Sequence, residues 1–245
     1  MDETVFTVMT YNVGNGLAMP ERLVPLLRSS QADIVGLQEL APPQALAIEE
    51  QLFNEFPFQA LFPGEFWGKG LISRFPIIDV EQLFLYPGRP DLHCTIDLAG
   101  NPLTVILAHP PPPHLSLNGI RFAPKVMDQI QSLVKMATSN PPAILMGDFN
   151  MTYRHAVHTQ IRASGLADAF HGIGKGGGYT LPVRLGPWRR MKRLNRALRW
   201  LPMLPLARVD YIWHTSQLQP QAVWLGEDGG SDHLPVLAKL VFEES

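Results

Sequence analysis

Polar side chains that could bind a cation and a phosphate border several apolar segments of this 245-residue chain. The segment AILMGDFN ends on Asp148 and Asn150, and this offset of two places both side chains on one side of an extended backbone. The borders of the other apolar segments carry the same kinds of side chain: Asn12, Glu39, His109, Asp210, Asp232 and His233. Ligands of α/β proteins bind at strand ends, so we expect these side chains to converge on one pocket.

The chemistry of this set is that of a hard cation and a phosphate. Carboxylate and amide oxygens without thiols select Mg²⁺ or Mn²⁺. One carboxylate can hold the ion while another positions or deprotonates the attacking water. The amides of Asn12 and Asn150 orient oxygens without adding negative charge, and the two histidines supply donors for phosphate oxygens.

Each residue also has an ordinary structural interpretation. An aspartate at the end of a strand is most often a turn former or a helix cap. His109 precedes four prolines and could lie in a stiff surface loop, and Asp232 with His233 could form a turn after two glycines. The joint pattern nevertheless favours a site, because independent turns would not all select residues suited to metal and phosphate chemistry.

The elements that would position these residues alternate between strands and helices. The apolar segments TVFTVMTYN and ADIVGLQEL read as buried strands, and each precedes a segment with helical features, MPERLVPLLRSSQ and PPQALAIEEQLFNEF. Further strands are predicted from GKGLISRFPI, VEQLFLY, LHCTIDL, PLTVILAH, AILMGDFN, RVDYIWHT and PVLAKLVF. Helices are predicted at about 121–137 and 156–164. Two sheets packed face to face, each covered outside by helices, would use all of these pieces.

The overall composition narrows the class of protein. The 20 glycines and 23 prolines indicate many short elements rather than a helical bundle. The single cysteine, Cys94, excludes an internal disulfide and a thiolate metal site. There is neither an apolar run of membrane-spanning length nor a signal-peptide pattern, so we predict a cytoplasmic protein. The net charge of −2 does not by itself point to a polyanionic partner.

Seven of these segments, taken in order and spacing, resemble the endonuclease/exonuclease/phosphatase superfamily, which includes deoxyribonuclease I, abasic-site endonucleases, sphingomyelinases and inositol polyphosphate 5-phosphatases. The segments are TYNVGNG, DIVGLQE, GLISRFPI, LAHP, GDFN, RVDYIW and SDHLPV. The resemblance covers nearly the whole chain. It implies a four-layered α/β/β/α sandwich of two packed mixed sheets with outer helices.

The resemblance also implies roles for the polar residues. Glu39 would be the principal metal ligand, assisted by Asn12 and Asp232. Asp148 would orient or deprotonate the nucleophilic water, with Asn150 beside it. The remaining implied residues contact or support the phosphate: His233, its carboxylate partner Asp210, and a second phosphate-facing histidine, His109. The implied reaction is metal-assisted hydrolysis without a covalent intermediate.

One segment differs from the rest in charge. Residues 169–209 contain nine of the 20 Lys and Arg residues and none of the 22 Asp and Glu residues. Within this segment, PWRRMKRLNRALRWLP places apolar residues on one helical stripe and arginines opposite, with prolines suited to begin and end the helix. We therefore predict a single domain of residues 1–245 with a basic amphipathic insertion at about 184–204.

Three interpretations of this insertion remain open. It could contact the phosphate backbone of a nucleic acid through Arg189, Arg190 and Arg193. It could lie on an anionic membrane surface, with Trp188 and Trp200 at the level of the headgroups. It could also pack its apolar stripe on the domain.

The sequence as a whole favours a monomeric Mg²⁺- or Mn²⁺-dependent phosphodiesterase, most simply a nuclease acting on DNA or RNA, with no protein partner implied. The alternative is a phosphoesterase acting on a lipid or small-molecule substrate, which would use the basic, tryptophan-containing helix at a membrane surface.

Overall fold

Two six-stranded mixed sheets form the centre of the protein. The computed structural model describes residues 5–116, 119–184 and 201–243. The first sheet contains, from edge to edge, β13 (Leu218–Leu225), β14 (Val236–Phe242), β1 (Val5–Asn12), β2 (Ile34–Gln38), β4 (Lys69–Ser73) and β3 (Phe58–Phe62). The second contains β11 (Ala167–Asp168), β12 (Asp210–His214), β10 (Ala143–Asp148), β7 (Asn101–Ala108), β6 (Asp91–Leu98) and β5 (Ile77–Leu83). A short hairpin is formed by β8 (His114–Ser116) and β9 (Gly119–Arg121).

Within the described part of the chain, four helices cover the outer faces of the two sheets. Helices α1 (Pro20–Ser29) and α2 (Pro42–Gln51) share an apolar cluster with β1 and β2. Helices α3 (Pro124–Ser139) and α4 (Ala156–Ala163) share another with β7, β10 and β12. A third cluster fills the space between the sheets. The predicted four-layered α/β/β/α sandwich is therefore confirmed.

The central strands are apolar on both faces because both faces are covered. In β1, Phe6 and Val8 belong to the cluster between the sheets, whereas Met9 and Tyr11 belong to the cluster beneath α1 and α2. Side chains of a strand alternate between its two faces, so a strand with helices on one side and a second sheet on the other reads as a continuous apolar run.

Some elements differ from the sequence-based expectation. Helix α2 ends at Gln51, whereas the sequence predicted a helix through residue 56. Phe56 precedes Pro57, and a proline disfavours helical backbone in the residue before it, so the chain is extended where β3 begins. The sequence did not predict β3 or β13. Both run along an edge of the first sheet and are less deeply buried than the central strands.

The basic insertion predicted at about 184–204 lies mostly outside the described residues, and so do Trp188, Arg189, Arg190, Arg193 and Trp200. The described chain on either side of it is paired, with bridges from Leu181 to Ala207 and from Arg184 to Pro202. None of the helices in residues 5–116, 119–184 and 201–243 is long and apolar enough to cross a membrane.

Candidate active site

The first sheet brings three of the predicted site segments together at one end of its strands. Strands β1 and β2 are parallel and pair Asn12 with Gln38, so Glu39 follows directly beside Asn12. Strand β14 is antiparallel to β1 and pairs Val236 with Thr10. The loop that carries residues 231–233 precedes β14 and therefore lies at the same end of the strands.

The second sheet brings three further predicted residues together at one end of its strands. Strands β7 and β10 are parallel and pair Ala108 with Gly147, so His109 and Asp148 leave the sheet side by side. Strand β12 is antiparallel to β10 and pairs Asp210 directly with Asp148.

Contacts across the gap between the sheets join the two sets of residues. Asn12 Nδ2 donates a hydrogen bond of 3.0 Å to Asp148 Oδ2. His109 Nε2 lies 3.7 Å from Glu39 Oε1 and 3.6 Å from Asp148 Oδ2. His233 Nε2 lies 3.7 Å from the same Asp148 oxygen. Asp148 is thus the point at which both sheets and both histidines meet.

The backbone around Asp148 corrects one expectation. Strand β10 ends at Asp148, and Asn150 has a left-handed backbone with φ of 52° rather than the extended one that would place both side chains on the same side. The backbone turns because Asn150 N donates to Asp148 Oδ1 at 2.8 Å, which closes a local turn. The Asn150 side chain instead donates to the carbonyl of Pro110 at 3.0 Å, which ties it to the loop after His109.

Two carboxyl groups of the site have a pKa near neutrality. Burial raises the pKa of Asp148 to about 7; the charge of Asp210 adds to the shift, while that of His233 opposes it. Burial also raises the pKa of Glu39 to about 7, with further contributions from the negative charges of Asp232 and Asp148. Both carboxyl groups therefore lie where an added positive charge would be strongly favourable.

His233 is held between two acids. Its Nδ1 lies 2.9 Å from Asp210 Oδ2, which fixes the ring orientation. Burial alone would lower the pKa of His233, but the charges of Asp210 and Asp148 outweigh burial and raise it to about 10. His233 is therefore an imidazolium at neutral pH, and its Nε2–H faces Asp148.

His109 is in the opposite electrostatic state. It is buried at 3% exposure and does not lie in the surface loop that its proline-rich neighbours allowed. Burial lowers its pKa well below the ordinary value, and the positive charges of Lys69 and Arg89 lower it further. His109 is therefore a neutral imidazole that can donate one proton from a fixed position.

The donor set suits a divalent cation, and two groupings can be compared. The negative charge of Asp232 contributes to the raised pKa of Glu39, so the two carboxylates lie near one another. A Cβ at Gly14 would come within 3.1 Å of Asp232 Oδ1, so the glycine leaves room for this carboxylate. Asn12 lies between Glu39 and Asp148, with its Oδ1 bonded to Gly14 N. A second grouping, Asp148, Asp210 and His233, offers ligand atoms within 4.8 Å of one another. Nδ1 of His233 is already bonded to Asp210, and the grouping around Glu39 uses oxygen ligands alone, so we favour the grouping around Glu39 for a hard cation.

The structure adds residues that the sequence did not single out. Ser231 Oγ donates to the carbonyl of Asn12 at 2.6 Å and accepts from His233 N at 3.2 Å, so it ties the last loop to β1. Lys69 and Asp91 form a buried pair behind His109. The signal for Lys69 was present in the sequence, since a lysine within the apolar strand segment GKGLIS needs a buried partner.

Several solved structures share this fold at low sequence identity. A protein from Beutenbergia cavernae, described as an endonuclease/exonuclease/phosphatase, is 20% identical with a TM-score of 0.73; the match covers 97% of this chain and 72% of that one. TDP2 from D. rerio, in a complex with single-strand DNA product, is 16% identical with a TM-score of 0.72 and coverage of 96% and 98%. A family protein from Bacteroides thetaiotaomicron is 18% identical with a TM-score of 0.69, and both chains are covered completely, at 100% each.

The comparison with protein families agrees with the structural comparison. No curated protein sequence matches this chain. The family model described as "Endonuclease/Exonuclease/phosphatase family" matches residues 9–233, a range that begins in β1 and ends at His233. The chain therefore belongs to the endonuclease/exonuclease/phosphatase family and is a phosphoric ester hydrolase.

Proposed function

We propose that this protein is a divalent-metal-dependent phosphodiesterase that cleaves DNA or RNA by direct attack of water on phosphorus. The observation that carries the proposal is the meeting of a buried carboxylate with one charged and one neutral histidine. Asp148 Oδ2 lies 3.6 Å from His109 Nε2 and 3.7 Å from His233 Nε2. A phosphate group placed beside Asp148 would face donors from both sheets.

Asp148 is proposed to orient and deprotonate the attacking water. Its carboxylate is held by the Asn12 amide on one oxygen and by the Asn150 backbone N–H on the other. A base fixed in this way loses little freedom as it accepts the proton, and such a group contributes typically about 10²–10⁴-fold in rate. Asn150 supports this role through its backbone, while its side chain holds the Pro110 loop.

The two histidines are proposed to bind the phosphate oxygens. His233 would donate from Nε2 and add positive charge, with Asp210 positioning its ring. His109 would donate from the side of the Glu39 carboxylate, with which it is in contact at 3.7 Å. Donors fixed before the reaction stabilise charge as it develops on the phosphate.

A metal is proposed at Glu39 and Asp232, with Asn12 beside them. The oxygen chemistry of these residues suits Mg²⁺ or Mn²⁺. When bound, such an ion would supply positive charge that stabilises the phosphate and the leaving oxygen.

Nucleic acid is the substrate class that the charge distribution supports best. Residues 169–209 contain nine Lys and Arg residues and no acid. We propose that Arg189, Arg190 and Arg193 contact the phosphate backbone, where each contact would add salt-dependent affinity. The solved D. rerio TDP2 complex with single-strand DNA product lends further support through the shared fold.

The test is cleavage of supercoiled plasmid and of a labelled single-stranded oligonucleotide with Mg²⁺ or Mn²⁺. We expect cleavage that EDTA abolishes and that Asp148→Ala reduces by at least about 10²-fold. The matched control is Asp128→Asn on the exposed surface of α3, which should cleave as the wild type does. Absence of cleavage by the wild type, or full activity of Asp148→Ala, would contradict the proposal.

A second candidate, a lipid or small-molecule phosphoester, is favoured by one observation. Leu201, Met203, Leu204 and Leu206 are exposed at 48%, 37%, 82% and 73%. Met203 N donates to the carbonyl of Val183, and Val183 N donates to the carbonyl of Asp232, so this apolar segment is anchored beside the site. Exposed leucines next to basic residues are typical of a surface that lies on a membrane.

The test of this candidate is co-sedimentation with vesicles of phosphatidylcholine containing phosphatidylserine. Binding that is lost in the Leu204→Ser, Leu206→Ser double variant or in the Arg189→Glu, Arg190→Glu, Arg193→Glu variant would favour the lipid substrate. Failure to co-sediment would contradict the lipid substrate.

A further inference from the structure

A buried ion pair joins the two sheets directly behind His109, and the reaction proposed above does not use it. Lys69 Nζ lies 3.8 Å from Asp91 Oδ1, and the two side chains are 1% and 0% exposed. Lys69 Nζ also donates to the carbonyl of Pro90 at 2.6 Å. Lys69 belongs to β4 in the first sheet, whereas Asp91 begins β6 in the second.

Asp91 is bonded on both of its oxygens. Oδ1 accepts from the backbone N–H of His109 at 3.2 Å, and Oδ2 accepts from Gln129 Nε2 at 2.6 Å. Gln129 is itself 1% exposed and belongs to α3. Asp91 therefore fixes the backbone position of His109 relative to both the sheet and the helix that covers it.

Lys69 is fixed in the same way to the other side of the site. Strands β2 and β4 are antiparallel and pair Lys69 with Gln38, the residue before Glu39. The loop before Lys69 is attached to the residue after Glu39, since Leu40 N donates to Gly68 O at 3.1 Å and Gly64 N donates to Leu40 O at 2.9 Å. A displacement of Lys69 would therefore be transmitted to Glu39.

A buried ion pair is a poor way to stabilise a fold. Removing two charges from water offsets most of their attraction, and apolar side chains of similar volume often stabilise a protein equally well. Burial lowers the pKa of Lys69 to about 8 despite the opposing charge of Asp91. Stability alone therefore accounts poorly for a lysine and an aspartate at this position.

We propose that Lys69 and Asp91 are positioning residues that set the separation between Glu39 and His109, and so between the metal-binding carboxylate and the neutral phosphate donor. The catalytic consequence rests on the function proposed above. The pair links β4 to the end of β7. Lys69 in β4 pairs with Gln38, the residue before Glu39, and Asp91 accepts a hydrogen bond from the backbone N–H of His109, the residue after β7. The distance that it would control is the 3.7 Å between Glu39 Oε1 and His109 Nε2.

The experiment compares Lys69→Met, Asp91→Asn and the double variant with the wild type. The amide introduced by Asp91→Asn retains an oxygen for His109 N, so the double variant removes the charge pair and keeps that hydrogen bond. The matched control is Leu98→Ala at the far end of β6, which creates a core cavity without touching the site. The measurements are the thermal midpoint, kcat and KM for bis(p-nitrophenyl) phosphate with Mn²⁺, and the Glu39–His109 separation in crystals.

Each single variant should lose both thermal stability and kcat, because one buried charge is left without its partner. The double variant should regain most of the thermal midpoint but keep a kcat about 10- to 100-fold below the wild type, as misplacement by about 1 Å can cause. Leu98→Ala should keep the wild-type kcat at temperatures where it is folded.

A double variant with wild-type kcat would overturn the proposal, as would a Leu98→Ala control that loses as much kcat as the double variant. The crystal structures test the positioning role of Lys69 and Asp91 independently of activity. A changed Glu39–His109 separation in the double variant supports the positioning role, and an unchanged one overturns it. If the wild type cleaves neither the probe nor plasmid DNA, the proposed function fails, while the measured separation still tests the positioning role.

Discussion

The two histidines of the site face the same oxygen of the Asp148 carboxylate, yet their surroundings give them opposite charge states. His233 is backed by the Asp210 carboxylate, and its pKa is raised to about 10 although burial acts in the other direction. His109 lies beside the buried Lys69–Asp91 pair, and burial with the positive charges of Lys69 and Arg89 lowers its pKa well below the ordinary value. Both are almost completely buried.

The comparison shows that burial alone does not decide the charge of a histidine in this protein. At His233 the neighbouring acids outweigh burial, whereas at His109 burial is the largest cause of the lowered pKa and nearby cations add to it. The site thereby obtains one donor that carries charge and one that does not. A second full positive charge next to the proposed metal would weaken metal binding, so a neutral His109 suits the side of the site that contains Glu39.

The largest expected effect comes from removing the group that both histidines face. Asp148→Asn should lower kcat by about 10³-fold, within the range for a positioned base, because the amide cannot accept the proton from water. The measurement is steady-state hydrolysis of bis(p-nitrophenyl) phosphate with Mn²⁺. Circular dichroism and the thermal midpoint should confirm that the variant is folded, and a kcat within a factor of about three of the wild type would remove Asp148 from this role.

The next largest effect is expected from a substitution that removes the difference in charge between the two histidines. Asp210→Asn takes away the acid behind His233, so the pKa of His233 should fall and its charge at neutral pH should be lost. We expect kcat to fall by about 10²–10³-fold, as for the loss of one stabilising donor. Two-dimensional NMR of the imidazole nitrogens should show the His233 titration moving to lower pH, and an unmoved titration would mean that Asp210 does not control the charge.

A smaller effect is expected on the neutral side. His109→Gln removes the imidazole donor but no charge, so kcat should fall by about 10²-fold, the lower end of the range for the loss of a single donor. The comparison of His109→Gln with His233→Gln in one assay is the control. A loss in His109→Gln that exceeds the loss in His233→Gln would reverse the proposed division of roles.

The smallest effect is on the pH dependence of stability, measured in EDTA by urea unfolding. His233 has a folded pKa of about 10, above its unfolded value, so its contribution is complete below the unfolded pKa and is lost as pH rises towards 10. His109 has a lowered folded pKa, so the unfolded state binds more protons and stability falls as pH drops below about 6.5.

Replacing each histidine should therefore remove one limb of the pH dependence. His233→Gln should flatten the alkaline side and His109→Gln the acidic side, each by about 1.4 kcal/mol for every unit by which the folded pKa differs from the unfolded one. If both variants change the same limb, the two histidines do not differ in charge as the structure indicates.

The convergence of Glu39, His109 and Asp148 could be predicted from the sequence because these residues lie where apolar strands stop. Glu39 and His109 each follow the last residue of a buried strand, and the end of an apolar run can be recognised without the fold. The parallel pairing of β1 with β2 and of β7 with β10 then brings these ends together.

Other features could not be read from the sequence. The turn at Asn150 depends on its hydrogen bonds to Asp148 and Pro110, and Pro110 lies far away in the chain. The Lys69–Asp91 pair depends on how two sheets pack, which no local pattern encodes. The edge strands β3 and β13 lack the continuous apolar runs of the central strands, because one edge of each has no neighbour in its sheet.

The most direct test of the account is anomalous diffraction from crystals soaked in Mn²⁺. The account predicts a manganese peak beside Glu39 and Asp232, and loss of that peak together with activity in Glu39→Gln. A peak held instead by Asp148, Asp210 and His233, with none beside Glu39, would contradict it, because Asp148 would then not be free to act on water and His233 would not carry its proton.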